Sequence, residues 1–187
     1  MSKVVKCPNC GTLYDITITP ETPEAKSNYL WILDNGHGGI IDGVYQTAGK
    51  RSPVWPDGQV LYEGEFNRSI VNRLVKMCAE AGIECVNLVD TQEDVSLSAR
   101  TSKANDIYRK RADKGGKCIY VSIHANGFNE ESANGWSCYT SIGETKSDKI
   151  ATVLYEQAEA EFPDEKMRKD TYSDRDVDKE ANFWVQA

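Results

Sequence analysis

Leu30-Trp31-Ile32-Leu33-Asp34-Asn35-Gly36-His37-Gly38-Gly39 is an apolar run that breaks into a glycine-rich turn around a single histidine. The run has the length and composition of a buried strand, and the turn leaves His37 at the strand's carboxyl end. Glycines at 36, 38 and 39 let the chain turn there without a Cβ clash. Cys118-Ile119-Tyr120-Val121-Ser122-Ile123-His124-Ala125-Asn126 repeats the arrangement, an apolar run that ends on a histidine and then a loop. The chain has 2 histidines, and each stands at the end of one of these runs.

Between the two runs, Phe66, Ile70, Val71, Leu74, Val75 and Cys78 recur at helical spacing. They predict a helix over 62–81, closed by Gly82. Residues 85–89 read as a short strand. Leu97, Thr101, Ala104, Ile107 and Tyr108 then predict a helix that ends near Gly115-Gly116, with Arg100 and Asn105 in structural roles. Strands at 29–33, 85–89 and 118–123 separated by helices predict an α/β fold: a mostly parallel, twisted sheet flanked by helices in three layers. Successive carboxyl ends then share one edge, where open sheets of this kind bind ligands. Residues 136–140 read as a fourth strand. Residues 147–162 read as a helix whose apolar face is Ile150, Val153, Leu154, Ala158 and Phe162. The stretch 40–61 shows no period and reads as a long ordered loop, pinned by aromatic side chains such as Tyr45, Trp55 and Tyr62.

His37 and His124 are expected on that shared edge, and Glu63 opens the helix that follows the first loop. Glu63 falls on the same stripe as Phe66 and Ile70, whereas Glu65 is rotated roughly 200° away. A carboxylate on a core face is costly unless it is paired or bound to metal, although one near a helix start can also serve the helix dipole. His37, Glu63 and His124 together make a two-histidine, one-carboxylate set, the ligand set of a catalytic zinc with one position open. Asp34 is placed either to orient His37 or to cap the turn after the strand.

With 187 residues, 40% hydrophobic and 27% charged, the chain fits one soluble globular domain with a short appendage. The net charge of -7 argues against nucleic acid as a partner, because binding through phosphates needs clustered Lys and Arg. No apolar run reaches membrane-spanning length, and residues 1–10 lack a signal-peptide core, so the expectation is synthesis in the cytoplasm and no membrane partner. Cys7-Pro8-Asn9-Cys10-Gly11 has the spacing of half a zinc knuckle, but no second C-x-x-C or His pair completes it. A turn in a leader is the reading preferred, and a working knuckle would need a partner. The domain division is 1–28, leader and linker, and 29–187, catalytic domain. Cys78, Cys85, Cys118 and Cys138 are expected as free thiols. Asp174-Arg175-Asp176-Val177-Asp178 superficially resembles a calcium loop, but Lys179 stands where its glycine should be and Val185 where its bidentate Glu should be, so it reads as a solvated loop.

Four segments together resemble the zinc-dependent N-acetylmuramoyl-L-alanine amidases of the amidase-3 type: Leu33-Asp34-Asn35-Gly36-His37-Gly38-Gly39, Glu63-Gly64-Glu65-Phe66-Asn67, Leu97-Ser98-Ala99-Arg100 with Ala104-Asn105, and Ser122-Ile123-His124-Ala125-Asn126. Asn35 stands where that family usually has proline. The resemblance runs from about Tyr29 to the end. It implies Zn2+ held by His37, Glu63 and His124, and hydrolysis of the amide between N-acetylmuramic acid and L-alanine in peptidoglycan. A hydrolase of the bacterial cell wall made without an export signal would suit a phage or prophage endolysin.

The family also carries a second glutamate on a late strand, in a pattern like Pro-Ala-Val-Leu-x-Glu, that acts as general base. Lys179-Glu180-Ala181-Asn182-Phe183-Trp184-Val185 resembles the stretch before that strand, and the sequence stops at Gln186-Ala187. The expectation is that the general base is absent and the domain C-terminally truncated. Two alternatives stand beside the amidase: a catalytically impaired zinc-containing module that binds peptidoglycan, and a zinc peptidase or deacetylase that cuts another bond of the polymer.

Overall fold

The structure is a computed structural model that describes residues 2–6, 13–17, 27–127, 134–172 and 175–183. Cys7 and Cys10 lie outside the described residues, and so do Asp174, residues 184–187 and most of the expected linker. In chain order the elements are β1 (Ser2–Lys6), β2 (Leu13–Thr17), β3 (Tyr29–Asn35), β4 (Ile40–Ile41), β5 (Val44–Tyr45), α1 (Glu63–Glu80), β6 (Cys85–Asn87), α2 (Leu97–Ala112), β7 (Lys117–Ile123), β8 (Tyr139–Thr140), α3 (Lys146–Glu161) and β9 (Lys179–Glu180). β1 and β2 pair antiparallel within the stretch expected as a leader.

The expected parallel sheet is present, in the order β6-β3-β7. β3 is its middle strand. It pairs with β7 from Tyr29↔Lys117 to Asn35↔Ile123 and with β6 from Trp31↔Cys85 to Leu33↔Asn87, both parallel. Side chains alternate across β3, and the two faces bury different partners. Leu30 and Ile32 join Val86, Leu88, Val89, Cys118 and Tyr120 in a cluster that α2 closes with Ala104 and Ile107. Complete burial of an aliphatic side chain such as Ile32 or Leu88 contributes about 1.5–3 kcal/mol. On the opposite face Cys85 reaches the Val75 carbonyl of α1, and Val71 of α1 is fully buried. Helices thus cover both faces, which is the three-layer arrangement expected.

Each helix keeps most of the expected stripe on its inner side, but its fully buried positions are largely other residues and some members of the stripe are exposed. In α1 the buried residues are Gly64, Asn67, Arg68 and Val71, and Phe66 is 41% exposed. In α2 the single buried residue is Arg100, while Leu97 and Tyr108 are exposed. In α3 the buried face is Asp148, Ala151 and Tyr155, and Val153 and Phe162 point to solvent. In α1 and α2 the buried polar side chains meet backbone carbonyls of strand ends and loops: Asn67 that of Gly36, Arg68 that of Thr91, and Arg100 those of Asn35 and His37.

Two further departures concern short pairings. The expected fourth strand contracts to Tyr139–Thr140, which pairs in parallel with Lys179–Glu180 in a ladder separate from the main sheet. Trp136 makes only an isolated bridge to Met167. Inside the long loop, β4 and β5 form a small antiparallel hairpin. Cys78, Cys85, Cys118 and Cys138 are free thiols, as expected. Among the described residues no helix is long and apolar enough to cross a membrane.

Candidate metal centre

β3 ends at Asn35, and the backbone turns at His37, whose φ of 70° lies in the left-handed region. A non-glycine residue held there costs of order 1–3 kcal/mol and persists only where its surroundings over-determine it. Gly36, Gly38 and Gly39 are needed for a reason other than the turn itself, namely close approach. A Cβ at Gly36 would fall into the His124 imidazole, one at Gly38 would press on Gln46 and Asp94, and one at Gly39 would strike Gln92 and Glu65.

The turn is fastened on every side. Gly36 N–H donates to the Ile123 carbonyl at 3.0 Å, and Asn67 Nδ2 donates to the Gly36 carbonyl at 3.0 Å. Gly38 N–H donates to Thr47 Oγ1 at 2.8 Å, and that hydroxyl donates to Asp94 Oδ2 at 2.7 Å. Glu65, which the helix period turns away from Glu63, accepts the Ile40 N–H at 2.9 Å and so pins the start of β4. Tyr45 donates to the Lys50 carbonyl and accepts the Gly64 N–H, both at 2.9 Å, which holds the long loop against the start of α1.

Within this frame the three expected ligands converge. Glu63 Oε1 lies 3.2 Å from His37 Nε2 and 3.1 Å from His124 Nδ1. The two imidazoles stand edge to face with centroids 5.0 Å apart. One nitrogen from each ring and one carboxylate oxygen all lie within 4.8 Å of one another, a spacing at which a single ion can be shared. Ala125 N–H also donates to Glu63 Oε1 at 3.2 Å. Burial pushes the Glu63 carboxyl up, but the hydrogen bonds from His124 and His37 outweigh it and hold the group at about 2. The side chains of His37, Glu63 and His124 are 18%, 13% and 37% exposed, so the cluster opens to solvent on the His124 side. Two imidazole nitrogens and a carboxylate suit Zn2+, which prefers nitrogen donors with one carboxylate where it must keep a position open.

Asp34 does not contact the His37 ring. Its buried carboxylate accepts from Arg100 Nη1 at 2.5 Å, Tyr120 OH at 2.8 Å and Ser122 Oγ at 2.9 Å. Arg100 then donates to the Asn35 carbonyl at 2.8 Å and the His37 carbonyl at 3.2 Å. Asp34 therefore bears on His37 through Arg100 and the backbone. Arg100, Asn67 and Glu65 are the positioning residues that periodicity passed over. A signal for Arg100 did exist, because it lies four residues before Ala104 on the covered face of α2, where an unpaired charge would be costly.

The family model described as N-acetylmuramoyl-L-alanine amidase, amidase-3, matches residues 32–185. The chain belongs to the amidase-3 family. By family this amidase is a hydrolase of cell-wall peptidoglycan, and its fold has solved counterparts. The amidase AmiC2 of Nostoc punctiforme superposes with a TM-score of 0.59 at 22% identity, over 86% of this chain and 73% of that one. The amidase Ami1 of Mycobacterium smegmatis gives 0.58 at 17%, over 86% and 76%. The catalytic domain of CwlV from Bacillus (Paenibacillus) polymyxa var. colistinus gives 0.56 at 19%, over 84% and 73%. At these identities the likeness establishes the fold of the amidase-3 domain and nothing finer. No curated protein matches the sequence.

Glu180, the carboxylate nearest in sequence to the family's late-glutamate pattern, lies on β9 and accepts the Gly143 N–H at 2.5 Å. It is therefore engaged in holding the loop after β8.

Proposed function

We propose that the chain is a zinc-dependent amidase that cleaves the bond between the lactyl group of N-acetylmuramic acid and the first L-alanine of the peptidoglycan stem, with His37, Glu63 and His124 holding the metal. The observation that carries this reading is the meeting of both histidines of the chain on one carboxylate oxygen at the carboxyl edge of the sheet. Zn2+ bound there supplies a Lewis acid that polarises a carbonyl and brings a water's pKa to about 7.

The remaining work falls to the chain's own groups. Arg100 holds the carbonyls of Asn35 and His37, so the left-handed turn that presents the His37 ring is kept without a glycine at that position. Asn67 and the Ile123 carbonyl fix Gly36 beneath the His124 ring, and the Ala125 N–H fixes the Glu63 carboxylate. Backbone contacts thus help to hold these side chains in place, which lowers the ordering cost of binding a metal.

The test is zinc content together with product chemistry. The purified chain should hold one Zn2+ that is lost in His37→Ala and His124→Ala, and digestion of cell walls should expose free L-alanine amines while leaving the sugars intact. New termini of another kind would favour a peptidase or deacetylase. Zinc and muropeptide binding without turnover after prolonged incubation would favour the binding module. Full zinc content in both histidine variants would remove the metal assignment itself.

A further inference from the structure

The run 174–178, which reads as a solvated loop in the sequence, is not solvated at Asp178. That residue is 0% exposed. Its Oδ2 accepts from Thr140 Oγ1 at 2.6 Å, and its Oδ1 is buried with no hydrogen-bond partner. Asp148, 8% exposed, and Asp176 converge on it, and one carboxylate oxygen from each of the three lies within 4.8 Å of the others. Among the described residues no Lys or Arg forms an ion pair with Asp148 or Asp178. Asp148 accepts from the Thr145 backbone N–H and hydroxyl, both at 2.5 Å, in the capping box that starts α3. Asp176 Oδ1 accepts the Asp178 N–H at 3.2 Å.

We propose that Asp148, Asp176 and Asp178 form a second metal site, separate in its residues from the histidine centre, and that it takes Ca2+. A buried carboxylate oxygen without a donor is costly unless a cation or a proton meets it. Asp178 Oδ1 is such an oxygen, and the carboxylates gathered around it can share a divalent ion. The donor set contains only oxygen, which selects a hard cation over Zn2+. Ca2+ takes oxygen ligands at about 2.3–2.6 Å in a flexible geometry, whereas Mg2+ demands a near-ideal octahedron at about 2.0–2.1 Å, and carboxylates gathered from separate parts of the chain meet the looser requirement more readily. The positive end of α3 works against a cation beside Asp148, but it amounts to about half a charge, set against the carboxylates of Asp148 and Asp178. The ion would join three parts of the chain, namely the start of α3, Thr140 of β8 through Asp178, and the segment that leads into β9.

The experiment is calorimetric titration of the metal-stripped, zinc-reloaded full chain with CaCl2 and, separately, MgCl2, paired with thermal unfolding and with terbium luminescence, which the nearby Tyr139 would sensitise. The expected result is one Ca2+ per chain and a rise in Tm on the order of 5–10 °C at about a hundred times Kd. Both should be lost in Asp178→Asn and in Asp176→Asn, with zinc content unchanged. If Asp178→Asn fails to fold, Asp176→Asn, whose side chain is less buried, carries the comparison. No Ca2+ binding by the wild-type chain, undiminished binding in Asp176→Asn, or a preference for Mg2+ over Ca2+ would overturn the assignment.

Discussion

Glu63 takes part in two opposed effects, since burial favours its neutral form and two imidazoles with a backbone N–H favour its charged form. The second wins, and the carboxyl is held at about 2 against an ordinary value of 4.5. A carboxylate whose pKa is depressed by folding contributes stability above its unfolded value and loses it as pH falls toward the folded one. In the metal-free chain that contribution should be complete above about pH 4.5 and should vanish toward pH 2, a change on the order of 2–3 kcal/mol. Urea unfolding across this range, in chelator, should show a steeper acid loss for the wild type than for Glu63→Gln. Parallel curves would mean that the imidazoles do not hold the carboxylate as described.

Among the elements, α2 has the least apolar task, for its single buried residue is a guanidinium driven into the end of β3. Breaking a buried pair by removing one partner costs about 3–5 kcal/mol, so Arg100→Leu should destabilise by that amount. Arg100→Lys should recover little, because one ammonium cannot span Asp34 and the carbonyls of Asn35, His37 and Val95. Denaturant midpoints check both, and a lysine variant as stable as the wild type would refute the clamp. This element also shows why parts of the site were hard to read in the sequence. The strands and the two histidines were legible because long apolar runs that end in polar turns announce themselves. Glu63 was reached through a stripe shared with Phe66, yet Phe66 is exposed and the buried positions of α1 include Asn67 and Arg68, which register on no hydrophobic period. Asp178 was read from its polar neighbours, whereas its burial is decided by Thr140 and Asp148, which lie 38 and 30 residues away in sequence. β4, β5, β8 and β9 have two residues each, too few to carry a period.

For the molecule as a whole, residues 1–187 contain no Pro-Ala-Val-Leu-x-Glu sequence. Loss of a general base typically removes about 10²- to 10⁴-fold in rate. Fusing the late strand of an amidase-3 relative, glutamate included, after Ala187 tests whether a group within residues 1–187 serves as base: equal hydrolysis of peptidoglycan at equal zinc content would mean that one does, and a gain of about that factor would mean that none does.

The central place of β3 also has a consequence in time. Its longest partnership is with β7, 88 residues further along the chain. On a ribosome adding about 5–20 residues per second, this apolar strand waits roughly 4–18 s before the segment that will lie beside it has been made. During that interval this apolar strand keeps a bare edge on its β7 side, open to proteases, chaperones and other nascent copies. His124, which follows β7, cannot meet Glu63 until the interval ends. Yield in a cell is therefore expected to depend more on the speed of translation between residues 35 and 123 than on anything at the metal centre.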